Sequence, residues 1–479
     1  MQWVFIEPVE PYGIALTTSP WGGYAVMDLM KSRRQRSPSA VHRGAMLSVL
    51  KNRTYRHLFL AQVIALIGTG LATVALGLLA YDLAGAQAGA VLGTALAIKM
   101  VAYIGVAPIA GAFAEHLPRK AMLVTLDLVR AAVALLLPFV TEIWQVYVLI
   151  FVLQSASAAF TPTFQATIPD ILPDEREYTR ALSLSRLAYD LESVISPMLA
   201  AALLTVVSFH SLFGGTVVGF LVSAAMVGST VLPVAVRGPK RSIYERTTKG
   251  LRIFLHTPRL RGLLALNLAI AAASAMVIVN TVVLVQAKLE LDQRAMAMAL
   301  MAFGGGSMVV ALVLPRLLEH LDDRKAMLAG GAILVVGLLV GAFVTSYSAL
   351  IVLWVVLGAG YSLAQTPSGR ILRRSSSPQD RPALFAAQFA LSHACWLITY
   401  PLAGWLGASV NLTAAFVGLG LLAGGAWILS KWIWRPEYDR EVVAHHHDDL
   451  SQDHPHVADG KSHAHPFVID DEHRKWPRI

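Results

Sequence analysis

The sequence is poor in charged residues and contains a single cysteine. Charged side chains make up 14% of the 479 residues, whereas a typical soluble protein has about 25%. The lone Cys395 excludes an internal disulfide framework and any metal or iron–sulfur site with only cysteine ligands. The sequence contains no phosphate-binding loop, nucleophile elbow or zinc-protease helix, so we do not expect an enzyme. The surface of several soluble domains would need far more charge than this chain carries.

Long apolar runs take the place of the missing charge. Hydrophobic residues make up 56% of the chain, and its mean hydropathy is +0.58. About 20 consecutive apolar residues cross a bilayer as a helix, and short turns between such helices give antiparallel hairpins. We therefore predict an all-α, polytopic membrane protein with twelve spans. The predicted spans lie near 57–81, 88–114, 121–141, 144–164, 179–207, 212–236, 262–287, 294–317, 326–345, 347–367, 383–409 and 413–434.

The basic residues predict how these spans are oriented. The segment 237–261 has eight Lys and Arg residues and a single acid, Glu245. Other basic residues fill loops of the same parity, while the opposite loops carry chiefly Lys288 and Arg294. Basic loops remain on the cytoplasmic side of a membrane. We therefore expect both termini to be cytoplasmic, and we relate the net charge of +9 to topology rather than to nucleic-acid binding.

An internal repeat divides the chain into two halves. The segment from Glu115 to Leu123 recurs, with one insertion, from Glu319 to Leu328, and Thr161-Pro162 recurs 205 residues later as Thr366-Pro367. Such self-similarity indicates two copies of one structural unit. The predicted organisation is an N-terminal arm or gene-model extension, a six-helix bundle, a basic cytoplasmic linker, a second six-helix bundle and a tail, over residues 1–45, 46–236, 237–261, 262–434 and 435–479.

The repeat and the loop after the second span resemble the major facilitator superfamily. The family pattern in this loop is a glycine, an acid and a basic pair, and this sequence has Gly111, Glu115, Arg119 and Lys120 there, with glutamate in place of the usual aspartate. The resemblance implies a substrate site between the halves near mid-membrane and a loop whose charges lock the cytoplasmic side. The predicted gating residues are Gly111, Glu115, Arg119, Lys120, Asp127, Arg130, Glu319, Arg324 and Lys325.

Charged residues inside the predicted spans require a structural or functional explanation, because inserting each one into the membrane costs about 2.5–3.5 kcal/mol. Asp127 and Arg130 are three residues apart, and a buried ion pair between helices is the alternative to a gating role for them. Arg186 can likewise neutralise Asp190, four residues away. Glu192 lies on another face of the same helix, so one of the two acids has no local partner, and Lys99 is a candidate partner for it. The predicted transport or proton-coupling residues are Lys99, Arg186, Asp190, Glu192 and His393.

The tail after Arg435 has a different composition from the rest of the chain. Residues 435–479 interleave histidines with aspartates and have little apolar content, so we expect this segment to be disordered when free. Imidazole and carboxylate ligands suit divalent ions such as Ni, Zn, Co and Cu. A merely soluble polar tail is the alternative. The predicted metal ligands are His445, His446, His447, His454, His456, His463 and His465.

A twelve-span facilitator with a His-rich cytoplasmic C-terminus resembles the bacterial nickel-resistance permeases. That resemblance implies proton-driven efflux of Ni(II), and of Co(II) as a second substrate, across the inner membrane by alternating access. Export of a drug-like compound or siderophore is the alternative, and a non-transporting metal sensor is a third. We expect the partners to be the metal ion or small molecule, protons and the bilayer. We expect a monomer with no nucleic acid and no cofactor besides a divalent metal as substrate or tail ligand.

Overall fold

The computed structural model describes residues 46–84, 88–114, 117–233, 243–440, 442–446, 462–470, 472–473 and 475–477. The chain divides into a short unit, Met1–Ser48, and a large unit, Val49–Ile479. The large unit is a helical bundle in two halves. The first half consists of α1 (Arg53–Ala84), α2 (Ala88–Ala114), α3 (Arg119–Leu136), α4 (Ile143–Ile171), α5 (Glu175–Leu203) and α6 (Phe209–Gly228).

The second half repeats this plan after a linker helix, α7 (Ile243–His256). It consists of α8 (Pro258–Val282), α9 (Gln293–Leu317), α10 (Asp323–Gly341), α11 (Tyr347–Gln365), α12 (Ser368–Arg374), α13 (Arg381–Trp405) and α14 (Leu412–Ile433). The basic linker 237–261 was expected to be a loop, and its described part forms α7 and the start of α8. Ile253 and Phe254 of α7 are buried while Arg252 is exposed, so α7 is amphipathic and packs on the bundle.

Eleven helices of the described residues are long and apolar enough to cross a membrane. The remaining predicted span is α5, whose 29 residues extend about 43 Å at 1.5 Å per residue. Its charged residues, among them Arg186, Asp190 and Glu192, make it more polar than the other eleven helices. The all-α polytopic fold predicted from the sequence is confirmed.

Local sequence explains where several helices begin. The side chain of Asp174 accepts a hydrogen bond from the backbone N–H of Glu177 at 2.9 Å and caps α5. Asn411 caps α14 through the N–H of Ala414 in the same way. A side-chain oxygen at this position satisfies one of the N–H groups that a helix leaves without a partner. The cap of α5 lies beside Glu175, one of the charged contacts between the halves.

The tail was expected to be disordered when free, but its described residues are folded against the second half. Strands β1 (Val442–His446) and β2 (Ser462–Pro466) form an antiparallel pair. Val443, Phe467 and Ile469 are buried in the hydrophobic core of the second half, and Trp476 packs beside them. A few apolar side chains spaced among polar ones are enough to anchor this segment, because the bundle supplies the rest of the hydrophobic surface.

Candidate functional site

One carboxylate connects the two halves at the end of the bundle that we call the basic end, defined by Arg119, Asp170 and Arg381. Arg119 opens α3, and its Nη1 donates to Oδ2 of Asp170 at 2.6 Å. Arg381 opens α13 and pairs with Oδ1 of the same carboxylate. All three side chains are at most 14% exposed. The pairing is therefore shielded from water, and removing the carboxylate would leave two guanidinium groups without their shared counterion.

A second cluster joins the halves around Arg370 of α12. Its Nη2 lies 2.6 Å from Oε1 of Glu175, and its Nε lies 2.9 Å from Oδ1 of Asp323. Arg374 also contacts Asp323, at 3.0 Å. The hydroxyl of Tyr178 on α5 donates to the carbonyl of Gly369 at 3.3 Å. The basic end is therefore closed by ion pairs and hydrogen bonds between α5 and the segment after α11.

The predicted loop motif contributes only in part to this closure. Gly111 lies where α2 crosses α13, and a Cβ there would be 2.7 Å from Cβ of Ala386, so only glycine permits the close approach. Arg119 joins the Asp170 cluster, whereas Lys120 is exposed to solvent. Glu115 lies outside the described residues.

The second copy of the motif stays within its own half. Arg324 Nε donates to the carbonyl of Trp434 at 2.5 Å. Lys325 pairs with Asp322 at 2.8 Å, and both side chains are more than 60% exposed. Glu319 is exposed at the surface. The neighbouring Asp323, which the sequence did not single out, makes the contacts to Arg370 and Arg374.

Sequence reasoning missed Asp170, Glu175 and Asp323 as well as a buried pair on the linker. Lys249 of α7 pairs with Asp380, and both side chains are at most 5% exposed. A signal for these contacts was available in the charge pattern. The segment 170–177 has four acids and one arginine, whereas the segment 370–374 has three arginines, so a segment of each half carries charge of opposite sign.

The predicted pair of Asp127 and Arg130 lies entirely within the first half. The two side chains pair on α3, and Ser223 of α6 donates to Oδ2 of Asp127 at 2.8 Å. The guanidinium of Arg130 lies between the rings of Phe160 and Phe220, at 4.1 and 4.5 Å from their centres. This geometry ties α3, α4 and α6 together and supports the interpretation of a buried structural ion pair.

Arg186 and Asp190 pair on α5, as their spacing predicted, and Arg186 reaches the other half. Its Nη1 donates to the hydroxyl of Tyr361 on α11 at 3.1 Å, and its guanidinium carbon lies 4.5 Å from the centre of that ring. The pair is therefore placed between α5 and α11, at the interface where the halves must separate or close.

A second interior cluster surrounds Lys99 and Glu192. The two charges attract each other, and Oγ of Ser196 lies near the carboxylate of Glu192. Lys99 Nζ lies 5.5 Å from the ring centre of Tyr103, which in turn contacts the ring of His393 at 4.7 Å. The structure therefore brings Lys99, Glu192 and His393 of the predicted set into one neighbourhood, next to the pair formed by Arg186 and Asp190.

The folded part of the tail brings three predicted metal ligands together. His445 stands opposite His463 in the strand register, and His465 follows on the same face. Each of these side chains offers a ring nitrogen, and the three atoms lie within 4.8 Å of one another. His473, absent from the predicted ligands, lies 3.0 Å from His445 through their Nε2 atoms.

The other predicted tail ligands do not join this group. His446 lies on the opposite, exposed face of β1, where its Nδ1 is 2.7 Å from Oγ of Ser462. His447, His454 and His456 lie outside the described residues. Burial and the neighbouring histidines lower the pKa of His445 to about 4, so its imidazole is neutral, which is the form that binds a metal ion.

Part of the sequence is similar to two bacterial transport proteins. The chain is 24% identical to macrolide efflux protein A of Streptococcus pyogenes over 152 residues, 29% of this chain and 37% of that protein. It is 28% identical to the MFS-type transporter YfiS of Bacillus subtilis over 120 residues, 25% of this chain and 28% of that protein. These matches span less than half of either relative.

Two solved structures share the fold. The human organic anion transporter MFSD10 superposes with a TM-score of 0.71 at 12% identity, over 79% of this chain and 99% of that one. A bacterial homologue of the iron transporter ferroportin, in an outward-facing state, gives 0.64 at 14% identity over 80% and 98%. The family model of the Major Facilitator Superfamily matches residues 58–322 and 263–468. The chain therefore belongs to the Major Facilitator Superfamily and is a multi-pass membrane transporter.

Proposed function

We propose that this protein is a proton-driven carrier of the bacterial inner membrane that exports Ni(II), and Co(II) as a second substrate, from the cytoplasm. The observation that carries the proposal is the convergence of His445, His463 and His465 on one face of a folded tail. Imidazole nitrogens are preferred ligands of these borderline ions. The tail is anchored to the second half, so a metal ion bound there is held at the basic end, which we take to be cytoplasmic.

The chemistry of the tail supports selective capture of a transition metal. A neutral imidazole gives up no proton on binding, and His445 stays neutral at cytoplasmic pH because its pKa lies near 4. Asp470, Glu472 and His473 form a neighbouring group whose ligand atoms also lie within 4.8 Å of one another. Asp470 accepts a hydrogen bond from Nδ1 of His473 at 2.9 Å, which orients the imidazole as carboxylates do behind metal-bound histidines.

The interior clusters support coupling to protons. Glu192 and Asp190 are acids inside the bundle, and each has a basic neighbour within the first half, Lys99 and Arg186 respectively. Arg186 also donates to Tyr361 of the other half, and this contact changes when the halves move. An intramembrane acid next to a base is the arrangement expected of a proton-coupled carrier. In the proposed cycle, protonation of these acids and metal release alternate as the basic end opens and closes through the clusters of Asp170 and Arg370.

Export of a drug-like organic compound is the second candidate. It is favoured by the likeness to a macrolide efflux protein and by the aromatic side chains at the interface of the halves. Tyr361 contacts Phe303 at 5.6 Å, and Trp396 contacts Tyr400 at 4.9 Å between ring centres. Aromatic walls suit an apolar ligand. In that case the tail would be dispensable for transport.

Uptake assays in everted membrane vesicles distinguish metal export from drug export. We expect uptake of radioactive nickel that needs a proton gradient, and no uptake of macrolides or dyes. Glu192→Gln should abolish gradient-driven uptake but retain nickel exchange at equal pH, because exchange needs no net proton movement. Proton-driven dye uptake with no nickel uptake would reject metal export and support the second candidate.

The tail provides a matched control for metal capture. The triple substitution of His445, His463 and His465 by alanine should weaken nickel binding to the purified protein. His446→Ala should not, because this histidine lies on the other face of β1. Equal nickel binding by the wild type and the triple variant would show that these three histidines do not capture the metal, and would contradict the proposal.

A further inference from the structure

A cavity of about 310 Å³ opens at the basic end, between the two halves and beneath the tail. Glu175 and Tyr178 contribute from the first half, Ser376 and four arginines from the second, and the tail covers it with Pro466–Val468. The volume is near the lower limit of small-molecule sites, about 300–1,000 Å³. The arginines that line the cavity are Arg370, Arg373, Arg374 and Arg381.

The charges of three of these arginines are balanced by carboxylates, and that of Arg373 is not. Arg370 pairs with Glu175 and Asp323, Arg374 pairs with Asp323 and Asp439, and Arg381 pairs with Asp170. Among the residues that the structure describes, Arg373 has no carboxylate at ion-pair distance. Its guanidinium donates through Nη2 to the carbonyl of Pro173 and lies 5.4 Å from the ring centre of Tyr178.

Two buried donors at this cavity lack a hydrogen-bond acceptor. They are Nη1 of Arg373 and Nε of Arg381. Buried guanidinium N–H groups in native proteins are almost always satisfied, and an unsatisfied one indicates an unseen water or ion. Both donors belong to side chains whose planar, forked geometry matches the oxygens of a phosphate group. The site thus offers an unbalanced positive charge, free donors and enough room for an anion.

We propose that this cavity binds a phosphate group, held by Arg373 and Arg381 and covered by the Pro466–Val468 segment. A phosphate has tetrahedrally arranged oxygens and can satisfy donors from both side chains at once. The group could belong to an anionic phospholipid, since the basic end borders the membrane surface, or to free phosphate. Because the cavity has walls from both halves and from the tail, a bound phosphate favours the conformation in which the basic end is closed.

The first test uses the full chain purified in an uncharged detergent. Inorganic phosphate, compared with chloride at equal ionic strength, should raise its melting temperature. Arg373→Gln should weaken the apparent phosphate affinity about tenfold or more, as loss of a charge-assisted hydrogen bond does. Arg252→Gln is the matched control, because Arg252 is exposed on α7 outside the cavity, and it should respond as the wild type does.

The second test separates the two sources of the phosphate group. The protein is extracted from nanodiscs that contain phosphatidylglycerol or only phosphatidylcholine, and native mass spectrometry counts the retained lipids. Selective retention of phosphatidylglycerol by the wild type but not by Arg373→Gln identifies a lipid headgroup. A response to free phosphate without lipid retention identifies a soluble anion.

Arg373→Lys keeps the positive charge without the fork, so it preserves folding and should bind with intermediate affinity in either test. The proposal is overturned if the wild type and both Arg373 variants respond equally to phosphate and retain the same lipids.

Discussion

Nη2 of Arg370 and Oε1 of Glu175 lie 2.6 Å apart, although the two residues belong to opposite halves of the bundle. Arg370 also contacts Asp323 of its own half at 2.9 Å. When the basic end opens, the contact with Glu175 must break while that with Asp323 can persist. Arg370 therefore makes one ion pair that stays within its own half and a second ion pair that breaks and re-forms in each cycle.

Asp170→Asn should open the basic end. The substitution removes the charge that Arg119 and Arg381 share, and it leaves two poorly exposed guanidinium groups facing each other. Breaking a buried pair costs about 3–5 kcal/mol, so even a partial effect raises the open population at least about tenfold. Spin labels at positions 120 and 319, introduced after Cys395→Ser, would report the longer distance across the basic end.

Asp322→Asn is the control for this variant. It breaks the ion pair of Asp322 and Lys325, whose side chains are 64% and 67% exposed respectively. An exposed ion pair contributes only about 0–1 kcal/mol to stability. The spin-label distances should stay those of the wild type. Identical distances in Asp170→Asn and the wild type would show that the Asp170 cluster does not hold this end closed.

Gly111→Val should also weaken the closure, through a steric effect instead of a charge. A Cβ at this position would lie 2.7 Å from Cβ of Ala386 and 3.2 Å from the carbonyl oxygen of Pro382, so α2 and α13 would have to move apart. The same spin-label measurement should show a shift toward the open state, and transport should fall.

Gly105→Val tests whether the effect is specific to the crossing point. Gly105 lies on the same helix, and a Cβ there has nothing within 4 Å. Loss of transport in both variants would mean that valine disturbs α2 itself rather than its contact with α13.

Arg130→Gln should destabilise the fold because it leaves Asp127, which is fully buried, without its cation. The expected loss is about 3–5 kcal/mol, visible as a lower melting temperature in detergent. The double variant Asp127→Ser with Arg130→Gln should recover much of it, since no buried charge remains. A double variant as unstable as the single one would contradict a simple ion pair, and reduced transport per folded molecule would instead support gating.

The tail strands should separate on acidification. The pKa of His445 is about 4 in the folded tail against an ordinary 6.5, so the unfolded tail takes up a proton at a higher pH than the folded tail. Stability therefore falls as pH drops from about 6.5 to about 4.

Hydrogen exchange at the amides of residues 442–446 measures this transition. Nickel should protect these amides and move the transition to lower pH, because it binds only the neutral imidazoles of the folded cluster. His445→Asn should make the exchange less dependent on pH. Exchange rates in the wild type that follow only the intrinsic chemistry of the amide would contradict the prediction.

The fold and the ion pairs within α3 and α5 could be predicted from the sequence because they depend on patterns. Long apolar runs determine spanning helices, and the internal repeat determines the two halves. The spacing of Asp127 and Arg130, and of Arg186 and Asp190, was enough to predict both ion pairs. Lys99 was a candidate partner because an unpaired charge within a span needs a neighbour, and in the structure it attracts Glu192.

The contacts between distant segments could not be predicted in the same way. Asp170 and Arg381 are separated by more than 200 residues, and their pairing depends on how the halves are oriented. The order in the tail was missed because its composition alone describes an isolated chain. Val443, Phe467 and Ile469 become buried only because the second half presents an apolar surface to them.

The buried pair of Lys249 and Asp380 also affects how the chain could be divided. Because α7 is fastened to α13 by this pair and by the close packing of Gly250 against Ala383, the helix is part of the second half rather than a slack tether. Two co-expressed polypeptides, one ending and the other starting within 234–242, should therefore associate into a working carrier. If the chain were divided between α7 and α8 instead, α7 would no longer be covalently joined to the second half. Its association with that half would then depend on the ion pair of Lys249.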